Sequence, residues 1–158
     1  MRSVDPHSLR RLAAVAIFAA ACAAPAVAQT PAGKAVEARQ AGFKQMGAAF
    51  KAVNDELRSG KPDAAKIAQA SERLRGHAAQ LPTWFPKGSG AEAGVKTGAR
   101  PEIWSDAAGF ADAASRLRTA TAALQTSAQA GDVDVMRQRA RAVGQACQAC
   151  HTAYREED

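Results

Sequence analysis

The sequence is poor in the residues that build sheets and in those that grip nucleic acid. Of 158 residues only one is Tyr, two are Trp and five are Phe. Long β-branched runs are missing too, so alanine-rich helices are expected rather than strands. No basic run with interleaved aromatics occurs, and the formal charge of +6 is dispersed. Nucleic-acid binding is therefore not expected. A chain this short cannot bury two separate cores, which leaves one domain. His, Met and Cys number three each, so any metal or redox chemistry must come from very few side chains.

Long apolar runs are also scarce. The one from Leu12 to Ala24 falls short of the ~20 residues a membrane span needs. Arg2, Arg10 and Arg11 precede it and Pro25-Ala26-Val27-Ala28 follows, the layout of a secretory signal peptide. Residues 1–28 are thus expected to be cleaved, with 29–158 as the mature domain. Lipid attachment at Cys22 stays open as a third reading, although Ala19 stands where a bacterial lipobox usually has Leu. Cleavage removes three of the 21 basic residues and one of the 15 acidic ones, leaving a net charge of +4. It also removes Cys22, so only Cys147 and Cys150 remain.

The mature sequence reads as four helices. Phe43, Met46, Phe50, Val53 and Leu57 recur in steps of three and four, and Gly60-Lys61-Pro62 ends that stripe. Asp63 is a plausible N-cap for a second helix burying Ile67, Ala70, Leu74, Ala78 and Leu81. From Pro82 to Pro101 four glycines and no helical period predict a loop. Connections of that length tend to be functional or to cover something, and Trp84 and Phe85 at its start suit covering. A third helix starts at Glu102 or Ser105 and stops at Gly131. Asp132 caps a fourth, whose stripe is Met136, Ala140, Val143, Cys147, Cys150 and Tyr154. The expected fold is all-α, an antiparallel four-helix bundle with a cofactor bound covalently near the C-terminus.

The cofactor follows from Cys147-Gln148-Ala149-Cys150-His151, because Cys-x-x-Cys-His is the attachment sequence of c-type haem. On a helix, residues three apart share a face, so two thiols can form thioethers with the two vinyl groups of one porphyrin. His151 then offers its imidazole to the iron as axial ligand. A disulfide or a pair of small core residues is the plain alternative. A thioredoxin-like pair would need a helix N-terminus to lower a thiol pKa, and Cys147 lies some fifteen residues into its helix. A structural zinc site would need four ligands, and His77, read as a surface histidine, is the only further Cys or His candidate.

The sixth iron position separates functions. Met136 precedes His151 on the same helix by about 22 Å of axial rise and cannot reach over the porphyrin. Met46 is on the inward stripe of helix one; a lone methionine there is more often core than ligand.

Cys147 to Arg155 at the C-terminus, Arg39-Gln40-Ala41-Gly42-Phe43-Lys44 on helix one, and Ala99-Arg100-Pro101-Glu102-Ile103-Trp104-Ser105-Asp106 together resemble the cytochrome c′ family. The resemblance covers essentially the whole mature chain. It implies a periplasmic four-helix bundle, often a homodimer through its first two helices, with one haem c thioether-linked to Cys147 and Cys150. His151 would be the only protein ligand. Arg39 matches an arginine that hydrogen-bonds a haem propionate, with Gln40 beside it, and Arg155 matches a basic residue flanking the proximal histidine. Trp84 is placed with the residues around the cofactor. Phe43 takes the distal position, where low-spin relatives carry a methionine that binds iron. Phe cannot, so the resemblance implies a high-spin, five-coordinate haem that binds nitric oxide and carbon monoxide. Thr152 departs from members with an acidic residue directly after the histidine.

Three functions are thus in play: a gas-binding haem protein, an electron carrier with Met46 as sixth ligand and a periplasmic redox partner, and an enzyme such as a peroxidase or nitric oxide reductase. Low-spin relatives place their methionine four residues past the matching arginine, whereas Met46 is seven past Arg39. The enzyme reading lacks an inward acid or base on the expected distal face.

Overall fold

The structure, a computed structural model, describes residues 30–156. The signal peptide reading and Cys22 fall outside the described residues. Five helices follow one another: α1 (Pro31–Arg58), α2 (Ala64–Gln80), α3 (Glu102–Ser105), α4 (Ala107–Ala130) and α5 (Val133–Tyr154). The four long ones form the bundle, and each starts on a side chain that satisfies an orphan backbone donor. Thr30 caps α1 by accepting from the Gly33 amide, Asp63 caps α2, Asp106 caps α4 and Asp132 caps α5. Gly131, at φ +79°, closes α4 in the left-handed conformation that glycine adopts without strain, and α5 turns back along it.

The core is aliphatic and continuous. Val53 on α1, Ile67 and Leu74 on α2, Leu124 on α4 and Met136 and Val143 on α5 are fully buried. α2 packs on α1, α4 on α2 and α5 on α4, whereas α5 and α1 meet only sparsely. Three seams of the bundle are closed and the fourth is open.

Two expected outlines change. The third helix is interrupted at Asp106, whose backbone leaves the helical region (φ −114°, ψ 58°). Its carboxylate caps the Gly109 amide at 3.1 Å and accepts from the Tyr154 hydroxyl at 3.0 Å, so one side chain ends α3, starts α4 and holds α5. The long connection also carries two short 3-10 turns, Leu81–Trp84 and Ala91–Ala93. It is tied down at both ends: the Trp104 indole N–H reaches the Phe85 and Pro86 carbonyls at 3.2 and 3.3 Å. Backbone bonds join Arg100 N to Tyr154 O (3.1 Å) and Glu156 N to Gly98 O (2.9 Å). His77 is half-buried against the Trp84 ring, 6.3 Å between centroids, rather than lying freely on the surface.

Candidate haem site

The cysteines sit where α5 borders the open seam. Cys147 and Cys150, three residues apart on one face, are both half-buried and unbridged. Burial pushes both thiols above the usual thiol pKa, and the neighbouring Cys147 adds to the rise at Cys150. A redox-active pair requires the opposite shift. Among the described residues no three His, Cys, Asp or Glu side chains converge on one point, so a zinc site lacks its ligands. Desolvation, then the positive charge of Arg155, lowers the pKa of His151, favouring the neutral imidazole that binds metals.

A cleft of about 730 Å³ opens beside them, lined by Cys147, Gln148, His151 and Thr152 and by Arg100, Arg155 and Glu156, with Arg100 paired to Glu102 at 3.2 Å. That volume suits a large ligand. At Gly144 the cleft meets a second groove of about 510 Å³, floored by Phe50, Leu57 and Ala140.

Two contacts fix the register of α1 against α5. The Arg137 guanidinium donates to the Leu57 carbonyl at 3.3 Å, and a Cβ on Gly144 would lie 3.7 Å from the Phe50 ring. From the first contact to the second the chain moves seven residues back along α1 and seven forward along α5, as antiparallel helices require. Continued for a further seven residues, roughly 10 Å of rise on each, the same register pairs Phe43 with His151, although Phe43 is not in the lining of the cleft. Met46, three residues past Phe43 on α1, is buried in the core.

The remaining sequence-picked residues divide into two groups. Arg155 lines the cleft, and its backbone pairs with Ala99. Arg39 is buried to 2 % exposure and donates to Ser89 Oγ (2.9 Å) and Thr97 Oγ1 (2.8 Å), with its guanidinium 4.9 Å from the Phe85 ring centroid. Desolvation by burial lowers its pKa and the charge of Glu92 works against that fall, so the arginine stays ionised there. Gln40 donates to the Lys96 carbonyl at 2.8 Å. In this structure Arg39 and Gln40 thus clamp the long connection onto α1. Trp84 lies against Phe43, edge to face at 5.1 Å, and not in the cleft lining.

Sequence reasoning missed two participants. Arg100 reaches the Thr152 carbonyl at 3.4 Å beside His151; its place in the Ala99–Asp106 segment was the available signal. The Tyr154 to Asp106 bond had none, because it joins positions 48 residues apart.

The donor set fits haem c: two thiols on one helical face, an imidazole one residue on, two arginines in the cleft lining where propionates would need partners, and a gap in one seam of the bundle. The family described as cytochrome C′ matches residues 34–155. A cytochrome c′ of Alcaligenes xylosoxydans xylosoxydans is 39% identical over 123 residues, 77% of this chain and 93% of that protein. The crystal structure of cytochrome c′ from Thermochromatium tepidum superposes with a TM-score of 0.74 at 26% identity, covering 81% of this chain and 98% of the other. A nitric oxide complex of a mutant cytochrome c prime from Alcaligenes xylosoxidans gives 0.73 at 34% identity, over 80% and 97% of the two chains. With its sequence and its bundle in agreement, this chain belongs to the cytochrome c′ family, whose members bind haem c.

Proposed function

We propose that this chain is a periplasmic haem protein that binds small gases, nitric oxide and carbon monoxide, on a high-spin five-coordinate iron. One haem c is held by thioethers to Cys147 and Cys150, and His151 is its only protein ligand. The reading is carried by Phe43, which the α1–α5 register pairs with His151 and whose side chain has no lone pair to give an iron. When bound, the haem supplies the iron that takes up the gas. The protein's own groups do the rest. Desolvation and then the charge of Arg155 lower the His151 pKa, Arg100 and Arg155 bring positive charge to the cleft, and Arg39 and Gln40 secure the covering connection. The nitric oxide complex of the Alcaligenes xylosoxidans relative supports the choice of gas.

Electron exchange with a periplasmic redox partner is a secondary capacity on this reading, and no catalytic turnover is assigned. Export rests on the signal peptide pattern of residues 1–28. Among the described residues no helix is long and apolar enough to cross a membrane. Pairing of two copies through α1 and α2 is supported by the exposed stripe Ala38, Ala41, Gln45 and Ala48 on α1.

The visible and resonance Raman spectra of the ferrous protein at neutral pH test the reading. A five-coordinate high-spin signature that converts on adding carbon monoxide is expected. A six-coordinate low-spin ferrous haem would sink it, and loss of that signature in Met46→Ala would establish the electron-carrier alternative.

A further inference from the structure

Two glycines interrupt the middle of α1, and they differ in what surrounds them. A Cβ at Gly47 would meet nothing within 4 Å. At Gly42 it would lie 2.7 Å from two atoms of the Trp84 ring and 3.1 Å from a third, closer than side-chain carbons come. Glycine inside a helix is entropically unfavourable, and at Gly42 the missing side chain is what lets the indole rest on the helix backbone.

From that seat Trp84 faces the next residue of α1. Its ring meets Phe43 edge to face, 5.1 Å between centroids at 86°. Trp84 cannot easily retreat: it ends the 3-10 turn that begins at the buried Leu81, and the His77 ring stands 6.3 Å away. A second ring, Phe85, approaches Phe43 at 6.1 Å and is itself held by the Arg39 guanidinium, which is bonded to Ser89 and Thr97. Phe43 is half-buried and has fixed neighbours on both sides.

We infer that Trp84, seated on the bare backbone of Gly42, is a positioning residue that fixes the ring of Phe43 and thereby sets the rate at which a diatomic gas enters the distal side of the haem. The inference rests on the gas-binding reading and deepens it. A ligand entering beside Phe43 requires that ring to move, and moving it breaks the contact with Trp84 or displaces Phe85.

The test uses the ferrous holoprotein and carbon monoxide, with association rates followed by stopped-flow absorbance. Trp84→Ala raises the association rate about two- to tenfold, the rate equivalent of one edge-to-face aromatic contact. Gly42→Ala unseats the indole and shifts the rate the same way, whereas Gly47→Ala leaves it unchanged. Trp84→Phe keeps most of the slow rate. The distinguishing measurement is the double variant: once Phe43→Ala is present, adding Trp84→Ala produces no further acceleration. Should Trp84→Ala fail to fold, Gly42→Ala and Trp84→Phe, each alone and with Phe43→Ala, carry the same comparison. Rates unchanged by both Trp84→Ala and Gly42→Ala overturn the inference, as does an equal acceleration in the Phe43→Ala background. Failure of the gas-binding reading is seen separately, in the wild-type ferrous spectrum, where a six-coordinate haem and a rate independent of carbon monoxide concentration would show it.

Discussion

The seam between α4 and α5 and the seam between α1 and α5 share a helix and end up as opposites. Along the first, α4 brings buried side chains, mostly small or medium (Ala113, Ala114, Leu117, Thr121, Leu124 and Ala128), with the one ring of Phe110 packed on Tyr154 at 5.3 Å. These two helices are the most extensively paired in the bundle. Along the second, α1 brings Phe43 and Phe50, both half-buried, while α5 brings Gly144 and two half-buried thiols. Bulky rings on one side and small or reactive groups on the other hold the helices apart without filling the gap. One face of α5 therefore supplies stability and the adjoining face supplies the site.

That contrast can be broken from either side. The largest effect is expected at the open seam, where Cys147→Ser with Cys150→Ser abolishes covalent haem attachment. The variant should release all its haem on acid–acetone extraction, while the wild type retains it. Next comes the closed side. Leu124→Ala, in a site with 0% exposure, should lower the unfolding free energy by about 2–5 kcal/mol. Phe50→Ala, at the edge of an existing groove, leaves little new cavity and should cost about half as much despite removing more atoms. Urea titration of both variants checks the ranking, and equal losses would mean that the two seams are packed alike. The smallest effect is alkaline. Burial first, then the bond to Asp106, raises the Tyr154 pKa above its ordinary value of 10.0. A raised acid contributes stability that is complete below pH ~10 and is lost as pH rises through the folded value. Tyr154→Phe should flatten that part of the stability profile, read from denaturant midpoints across the alkaline range.

Much of this was legible in the chain because it is local. The stripe from Met136 to Tyr154 and the caps Asp63 and Asp132 depend on positions three or four apart, and a helix converts such spacing directly into a shared face. Gly131 stops α4 for an equally local reason, its left-handed backbone. The break at Asp106 was less accessible. An aspartate before Ala107-Ala108-Gly109 reads as an ordinary polar residue inside a helix until Tyr154, from the far end of the chain, becomes its partner. Arg39 illustrates the same limit: its exposed or buried state depends on Ser89 and Thr97, some fifty residues on, and on a loop whose path no periodicity describes.

By itself, then, the sequence determined that the protein is helical, that its core is one bundle, and that two thiols and an imidazole on the last helix are spaced for haem, because each of these follows from residue type and interval within a single helix. Which seam stays open, that Arg39 is buried under the long connection, and that Trp84 lies on Gly42 were decided only by tertiary structure. Those facts are relations between helices, set by how side chains of unequal size let the axes approach, and no spacing within one helix encodes them.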